Sequence, residues 1–179
     1  ADDFASYSLI EYCPSMDLPS VVSAANMFRG CPQLKIVDHL NMPACTNFIY
    51  FFYYCTKLTD VSINTPNGQD FGGMFGGTYS LTKFPNIDFS SAVNVSSMFS
   101  ASGITMVPDI VFPNVTNFSS MFSNCISLIT APALTFSSSL TNASSMFATC
   151  TSLTNIPNYN LVSVTTTASM FQNCVNLRF

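Results

Sequence analysis

One dipeptide recurs along this chain of 179 residues at an almost fixed interval, and that interval dictates the kind of fold available. Met-Phe stands at Met27-Phe28, Met74-Phe75, Met98-Phe99, Met121-Phe122, Met146-Phe147 and Met170-Phe171. Phe51-Phe52 fills the one gap, and Asp3-Phe4 extends the phase backwards. Successive spacings are about 23 to 25 residues, giving about seven and a half coils. A unit this short cannot bury an apolar face alone. It must stack on its neighbours to form one continuous core.

With the Met as phase zero, the rest of the unit falls into register. Four residues later comes Cys31, Cys55, Cys125, Cys150 or Cys174, with Thr78 and Ser102 in the other two coils. Seven residues later comes Leu34, Leu58, Leu81, Leu128, Leu153 or Leu177, with Ile104 in a shorter coil. Val37, Val61, Phe84, Val107, Ala131 or Ile156 follows, and Pro14, Pro85, Pro108, Pro132 and Pro157 come immediately after that position in most coils. Four residues before the Met stand Ser23, Asn47, Asp70, Asn94, Asn117, Asn142 and Thr166. Each can cap orphan backbone amides at a helix start. Apolar positions at −3, 0, +1 and +4, such as Phe118, Met121, Phe122 and Cys125, repeat the spacing of a helical stripe. The Leu-x-x-Val-Pro stretch reads as a short strand that proline ends. These signals predict an α/β repeat solenoid, leucine-rich-repeat-like, with a short strand and a short helical turn in each coil of about 24 residues. Residues 1–179 read as a single such domain.

The pattern Met-Phe-x-x-Cys-x-x-Leu-Thr-x-x-Pro resembles the BspA-like surface-protein branch of the leucine-rich repeats. Met121 to Leu128 and Met146 to Pro157 match it best. The resemblance implies a cell-surface or secreted protein acting in adhesion or matrix binding, and it implies no catalytic residue. Two coils depart from the pattern: the glycine-rich Gly72-Gly73-Met74-Phe75-Gly76-Gly77 and the aromatic Phe48 to Cys55.

Charged residues make up 8% of the chain against 48% hydrophobic, and the net charge is −4. A surface of neutral hydroxyls and amides is poorly defended against self-association, so glycans or partner chains are expected to cover it. Five Lys and Arg residues do not supply the clustered cations of a nucleic-acid site. The longest apolar run, Phe48 to Cys55, is far shorter than the ~18 residues of a membrane span. His39 is the lone histidine, and no paired carboxylates, phosphate loop or triad pattern accompanies it. No enzyme, cofactor or metal site is therefore expected. Five of the seven cysteines share the buried phase and are expected to be free thiols, leaving Cys13 and Cys45 as the only bridge formers.

Two sets of candidate site residues stand out. Sequons occur at Asn94, Asn114, Asn117 and Asn142. Three sit at the cap phase, where capping alone explains an asparagine, while Asn114 lies at a small, polar, exposed phase and is the foremost glycan candidate. The second set is Tyr50, Tyr53 and Tyr54, which occupy phases that are small or polar elsewhere, with Arg29 one coil earlier at the phase of Tyr53. Exposed tyrosines favour recognition, whereas packing against a neighbour is the plainer reading.

The expected function is a non-enzymatic extracellular or cell-surface scaffold that binds host or matrix protein or glycan. An alternative is a structural subunit of a filament made by end-to-end or lateral contacts between copies. Ala1 falls inside a turn and Phe179 inside a strand without polar capping repeats, so the chain is expected to be part of a longer array or filament. A threonine ladder at Thr59, Thr82 and Thr154 prompts an ice-binding reading, but Lys35, Ile129 and Arg178 interrupt it.

Overall fold

A computed structural model describes residues 9–178. The expectations at Asp3-Phe4, Ala1 and Phe179 lie outside the described residues. Among the described residues there are six short strands: β1 (Tyr12–Cys13), β2 (Met16–Asp17), β3 (Ile36–Asn41), β4 (Asp60–Asn64), β5 (Ile110–Phe112) and β6 (Leu134–Phe136). β1, β2 and β4 all pair in parallel with β3, and β5 pairs in parallel with β6. Partners lie one coil apart, as in Val37 with Val61 and Val111 with Thr135. A run of single parallel bridges, Ser23 to Asn47 to Asp70 to Asn94 to Asn117 to Asn142 to Thr166, ties the coils together at the expected cap position.

The expected α/β class is overturned, and with it the leucine-rich-repeat-like solenoid with a helical turn per coil. Among the described residues there is no helix; the cap-to-Leu stretch is a train of turns. In the coil around Met121, amides at alternate positions donate out to the next coil. These are Phe118 N to Asn142 O (2.8 Å), Ser120 N to Ser144 O (2.9 Å), Phe122 N to Met146 O (2.9 Å) and Asn124 N to Ala148 O (2.7 Å). The amides between them donate back three residues: Met121 N to Phe118 O, Ser123 N to Ser120 O and Cys125 N to Phe122 O. A helix would direct every amide back four residues and leave none for a neighbour.

The alternation requires a left-handed residue at −1 and +3 of every coil. Asn26 and Gly30, Tyr50 and Tyr54, Gly73 and Gly77, Ser120 and Asn124, and their equivalents have φ between 53° and 71°. Positive φ at the third residue of a turn is the signature of type II geometry. The predicted caps have a related role. Asn47, Asp70, Asn94, Asn117 and Asn142 accept, through Oδ1, the amide two residues on, at 2.9–3.1 Å. That side chain serves the amide at −2, which neither the coil nor its neighbour takes. The apolar spacing misled because a turn train also points −3, 0, +1 and +4 inward.

The core is a set of ladders. Phe28, Phe52, Phe75, Phe99, Phe122, Phe147 and Phe171 stack face to face, with centroids 5.2–6.0 Å apart and planes within 26°. The cysteines form a second ladder. The Sγ of Cys55, Cys125, Cys150 and Cys174 donates to the Phe carbonyl one coil back, at 3.0–3.1 Å. None of the seven cysteines is in a disulfide, Cys13 and Cys45 included. Burial pushes the Cys125 thiol up to about 11 and the Cys55 thiol up to about 12.

The return half of the coil is less regular. Where its central position is Asp38 or Ser62, β3 and β4 pair over most of their length. Where it is Pro85, Pro108, Pro132 or Pro157, the missing N–H shortens or abolishes pairing, and residues 82–90 form no strand. Among the described residues no helix is long and apolar enough to cross a membrane.

Three measurements check this architecture. Far-ultraviolet circular dichroism should lack the helical double minimum. Phe122→Ala should cost about 3–5 kcal/mol in denaturant unfolding. Asn117→Ala, which strands the Ser119 amide, should cost about 1 kcal/mol while Asn117→Asp costs little. The thiols carry a pH prediction as well. Their pKa is raised from 9.0 in the fold, so their stabilisation is complete below pH 9 and is lost as pH rises through about 11 to 12. The urea midpoint should therefore fall between pH 8 and pH 10.5, and Ellman's reagent should label Cys125 only after unfolding.

Candidate functional site

The aromatic coil and the glycine-rich coil, which look like separate departures in the sequence, are one structure. Residues at equal phase in adjacent coils lie against each other, so Tyr50, Tyr53 and Tyr54 meet Gly73, Gly76 and Gly77. A Cβ on Gly73 would fall 2.4 Å from the Tyr50 ring; on Gly76, 2.7 Å from Tyr53; on Gly77, 2.7 Å from Tyr54. These distances are below any real Cβ contact, so the rings occupy the space where side chains would stand. Gly73 and Gly77 also hold the left-handed positions, which glycine adopts at no steric cost.

The structure brings together all four residues of the predicted patch. Tyr50 and Tyr53 meet edge to face at 4.9 Å, and Tyr53 and Tyr54 at 4.5 Å. The Arg29 guanidinium lies 5.3 Å from the Tyr50 ring centre and 5.6 Å from that of Tyr53. It is held on one side by its bond to Asn26 Oδ1 at 3.2 Å. Cation–π contacts at exposed sites contribute about 0.5–1 kcal/mol. Tyr50 and Tyr54 stay 39% and 48% exposed, whereas Tyr53 is half-buried. Burial first, and then its hydrogen bond with Tyr54, raises the Tyr53 phenol above its ordinary range. Beside Tyr50, a recess of about 290 Å³ is floored by Gly72 and Gly73 and faced by Asn94, Ser96 and Ser97. Packing thus accounts for part of the tyrosine cluster, while the exposed ring edges of Tyr50 and Tyr54 and the recess remain open to solvent.

The sequons divide as their phases suggest. Asn94, Asn117 and Asn142 are half-buried with Oδ1 committed to the turn, and Asn94 Nδ2 also donates to Asp70 Oδ1 at 2.9 Å. Asn114 is exposed, but its Nδ2 bonds Ser90 O at 3.0 Å. Asn67 Nδ2 does the same to Pro43 O at 2.8 Å, so this phase has a bracing role between coils that the sequence did not disclose. His39 meets Ser62 Oγ at 3.0 Å on the exposed strand face, and Tyr12 bonds Asp38 nearby. Among the described residues no group of three His, Cys, Asp or Glu side chains gathers to hold a metal ion.

The glycine–tyrosine contact can be tested by a double-mutant cycle. Gly73→Ala should destabilise the protein by at least about 2 kcal/mol, from left-handed strain plus the clash with Tyr50. In a Tyr50→Ala background only the strain, about 1 kcal/mol, should remain. Equal costs in both backgrounds would mean that the ring does not sit on the glycine.

No curated protein and no solved structure matches the chain. A family profile matches it twice in tandem, over residues 6–108 and 106–178. The chain belongs to that family, DUF285, described as Mycoplasma protein of unknown function.

Proposed function

We propose that this protein is a non-enzymatic extracellular or cell-surface scaffold that binds protein or glycan through the Tyr50, Tyr53, Tyr54 and Arg29 patch. The observation that carries the reading is the clustering of three tyrosines and an arginine beside a glycine-floored recess. Tyrosine brings a large contact area with few rotors to freeze, and a hydroxyl to hydrogen-bond, which is why it dominates recognition patches. The recess beside it offers amide and hydroxyl groups at Asn94, Ser96 and Ser97, the chemistry that sugar hydroxyls and peptide groups take.

Support for a binding rather than a catalytic role comes from what the reactive groups are engaged in. The four laddered thiols whose pKa burial raises donate to main-chain carbonyls inside the stack, the opposite of an activated nucleophile. The resemblance to BspA-like surface proteins points the same way, toward adhesion outside the cell. A rigid stack suits that task because it holds side chains at fixed spacing without further ordering cost.

The test is binding of the purified protein to a glycan array and to immobilised matrix proteins. Tyr50→Asn and Tyr54→Asn keep residues at ease in the left-handed conformation. Together they should lower affinity for any ligand found by about tenfold or more, the effect of losing aromatic hot spots. A ligand bound equally well by the double variant would refute this patch as the binding site.

A further inference from the structure

On the side of the coils opposite the turn train, the return segments part between two neighbours. Thr105 N still donates to Thr82 O at 3.2 Å, and Asn114 Nδ2 to Ser90 O at 3.0 Å. Between those two links, among the described residues, no main-chain hydrogen bond joins residues 83–89 to residues 106–113. Pro85, Pro108 and Pro113 contribute no N–H to this stretch. The result is a groove of about 600 Å³, with half-buried Ile87 and Ile110 in its lining. β5 forms one wall; it is paired with β6 on its far side only, so its near edge is bare, and Val111 on it is 62% exposed.

Charge marks the same surface. Glu11, Asp17, Asp38, Asp60, Asp88 and Asp109 all lie exposed on return segments, whereas Asp70 is tied into the turn train. Of the cations on that side, Lys35 is committed to Glu11 at 2.8 Å, and exposed Lys83 stands beside the groove but not in its lining. Asp88 and Asp109 both line the groove. Each uses Oδ1 to accept a main-chain amide, Ser90 N at 2.8 Å and Ala133 N at 3.2 Å.

We propose that this groove docks an extended segment of a partner protein that carries lysine or arginine beside apolar residues. Its main chain would pair with the bare edge of β5, the mode by which extended peptides add to exposed strands. Its apolar side chains would cover Ile87 and Ile110, and its cations would meet the second oxygens of Asp88 and Asp109. This site is independent of the tyrosine patch, which lies on the turn side.

The probe is a short synthetic peptide alternating valine and lysine, titrated calorimetrically into the whole protein, with a valine–glutamate peptide and a neutral oligosaccharide alongside. The valine–lysine peptide should bind, and more weakly as salt is raised. The double variant Asp88→Asn, Asp109→Asn retains the Oδ1 atoms that Ser90 and Ala133 need, so the fold is kept, and it should lower affinity about tenfold. Asp17→Asn, on the same side but away from the groove, should leave affinity unchanged. Amide chemical shifts of the unaltered protein should move at Ile87, Ile110 and Val111. The proposal is overturned if the valine–lysine peptide does not bind, if the glutamate peptide or oligosaccharide binds equally, or if Asp17→Asn costs as much as the double variant. It is also overturned if the shifts gather at Tyr50 and Tyr54.

Discussion

The structure depends on how the main-chain amides of each coil are divided. Alternate amides close turns within the coil, and the ones between them reach the next coil. The one left over is taken by an Asn, Asp or Thr side chain. Most amides of the turn train thereby find an acceptor, so the segment can lie half-buried without a helix or a sheet around it. The Phe carbonyl completes the arrangement by accepting from its own coil and again from the Cys thiol of the next. Cysteine at that position is thus a donor as well as a small apolar filler, and Thr78, which bonds Phe75 O in its own coil, meets the same need by another route.

This division has a conformational cost. A left-handed L-residue costs about 1–2 kcal/mol, least for Asn and Gly, and each coil contains two such positions. Asn26, Gly30, Asn124 and Asn173 meet the demand cheaply, while the β-branched Thr149 meets it at higher cost. The four inter-coil bonds of each repeat, at a net of about 1 kcal/mol apiece, are of the size needed to offset that strain. A single coil would have the strain without the bonds. Stacking is therefore what selects the turn train over the helix that the same apolar spacing would otherwise favour.

The sequence made legible everything that depends on period. The coil boundaries, the Phe ladder, the buried cysteine phase and the role of Asn117 and its equivalents as side-chain acceptors all follow from residues recurring in step. It did not make legible which local conformation carries the period. Positions −3, 0, +1 and +4 face inward in both a helix and a train of turns. The distinguishing signal was present at −1 and +3, where Asn, Gly and Ser recur at the expense of strong helix formers, but that signal concerns backbone φ and leaves the apolar pattern untouched. Nor did the sequence make legible where strands pair: the stretch before each proline reads as a strand, yet residues 82–90 form none, β5 and β6 lie after Pro108 and Pro132, and a groove opens between Phe84 and Pro113.

The tyrosine and glycine coils raise a question of which requires which. A Cβ at Gly73, Gly76 or Gly77 cannot coexist with the rings above it, so the glycines are necessary once the tyrosines are there. The reverse does not hold. At the phase of Tyr50 the other coils carry Asn26, Ser97, Ser120, Ser145 and Ser169, which hold the left-handed turn without needing a glycine at the same phase of the next coil. Four glycines also weaken the folded state through the extra chain entropy each loses on folding. The stack would be easier to hold together with serine in both coils. The tyrosines thus pack only over a glycine floor that the other coils do not need, an arrangement for which the recognition role proposed for the patch would account.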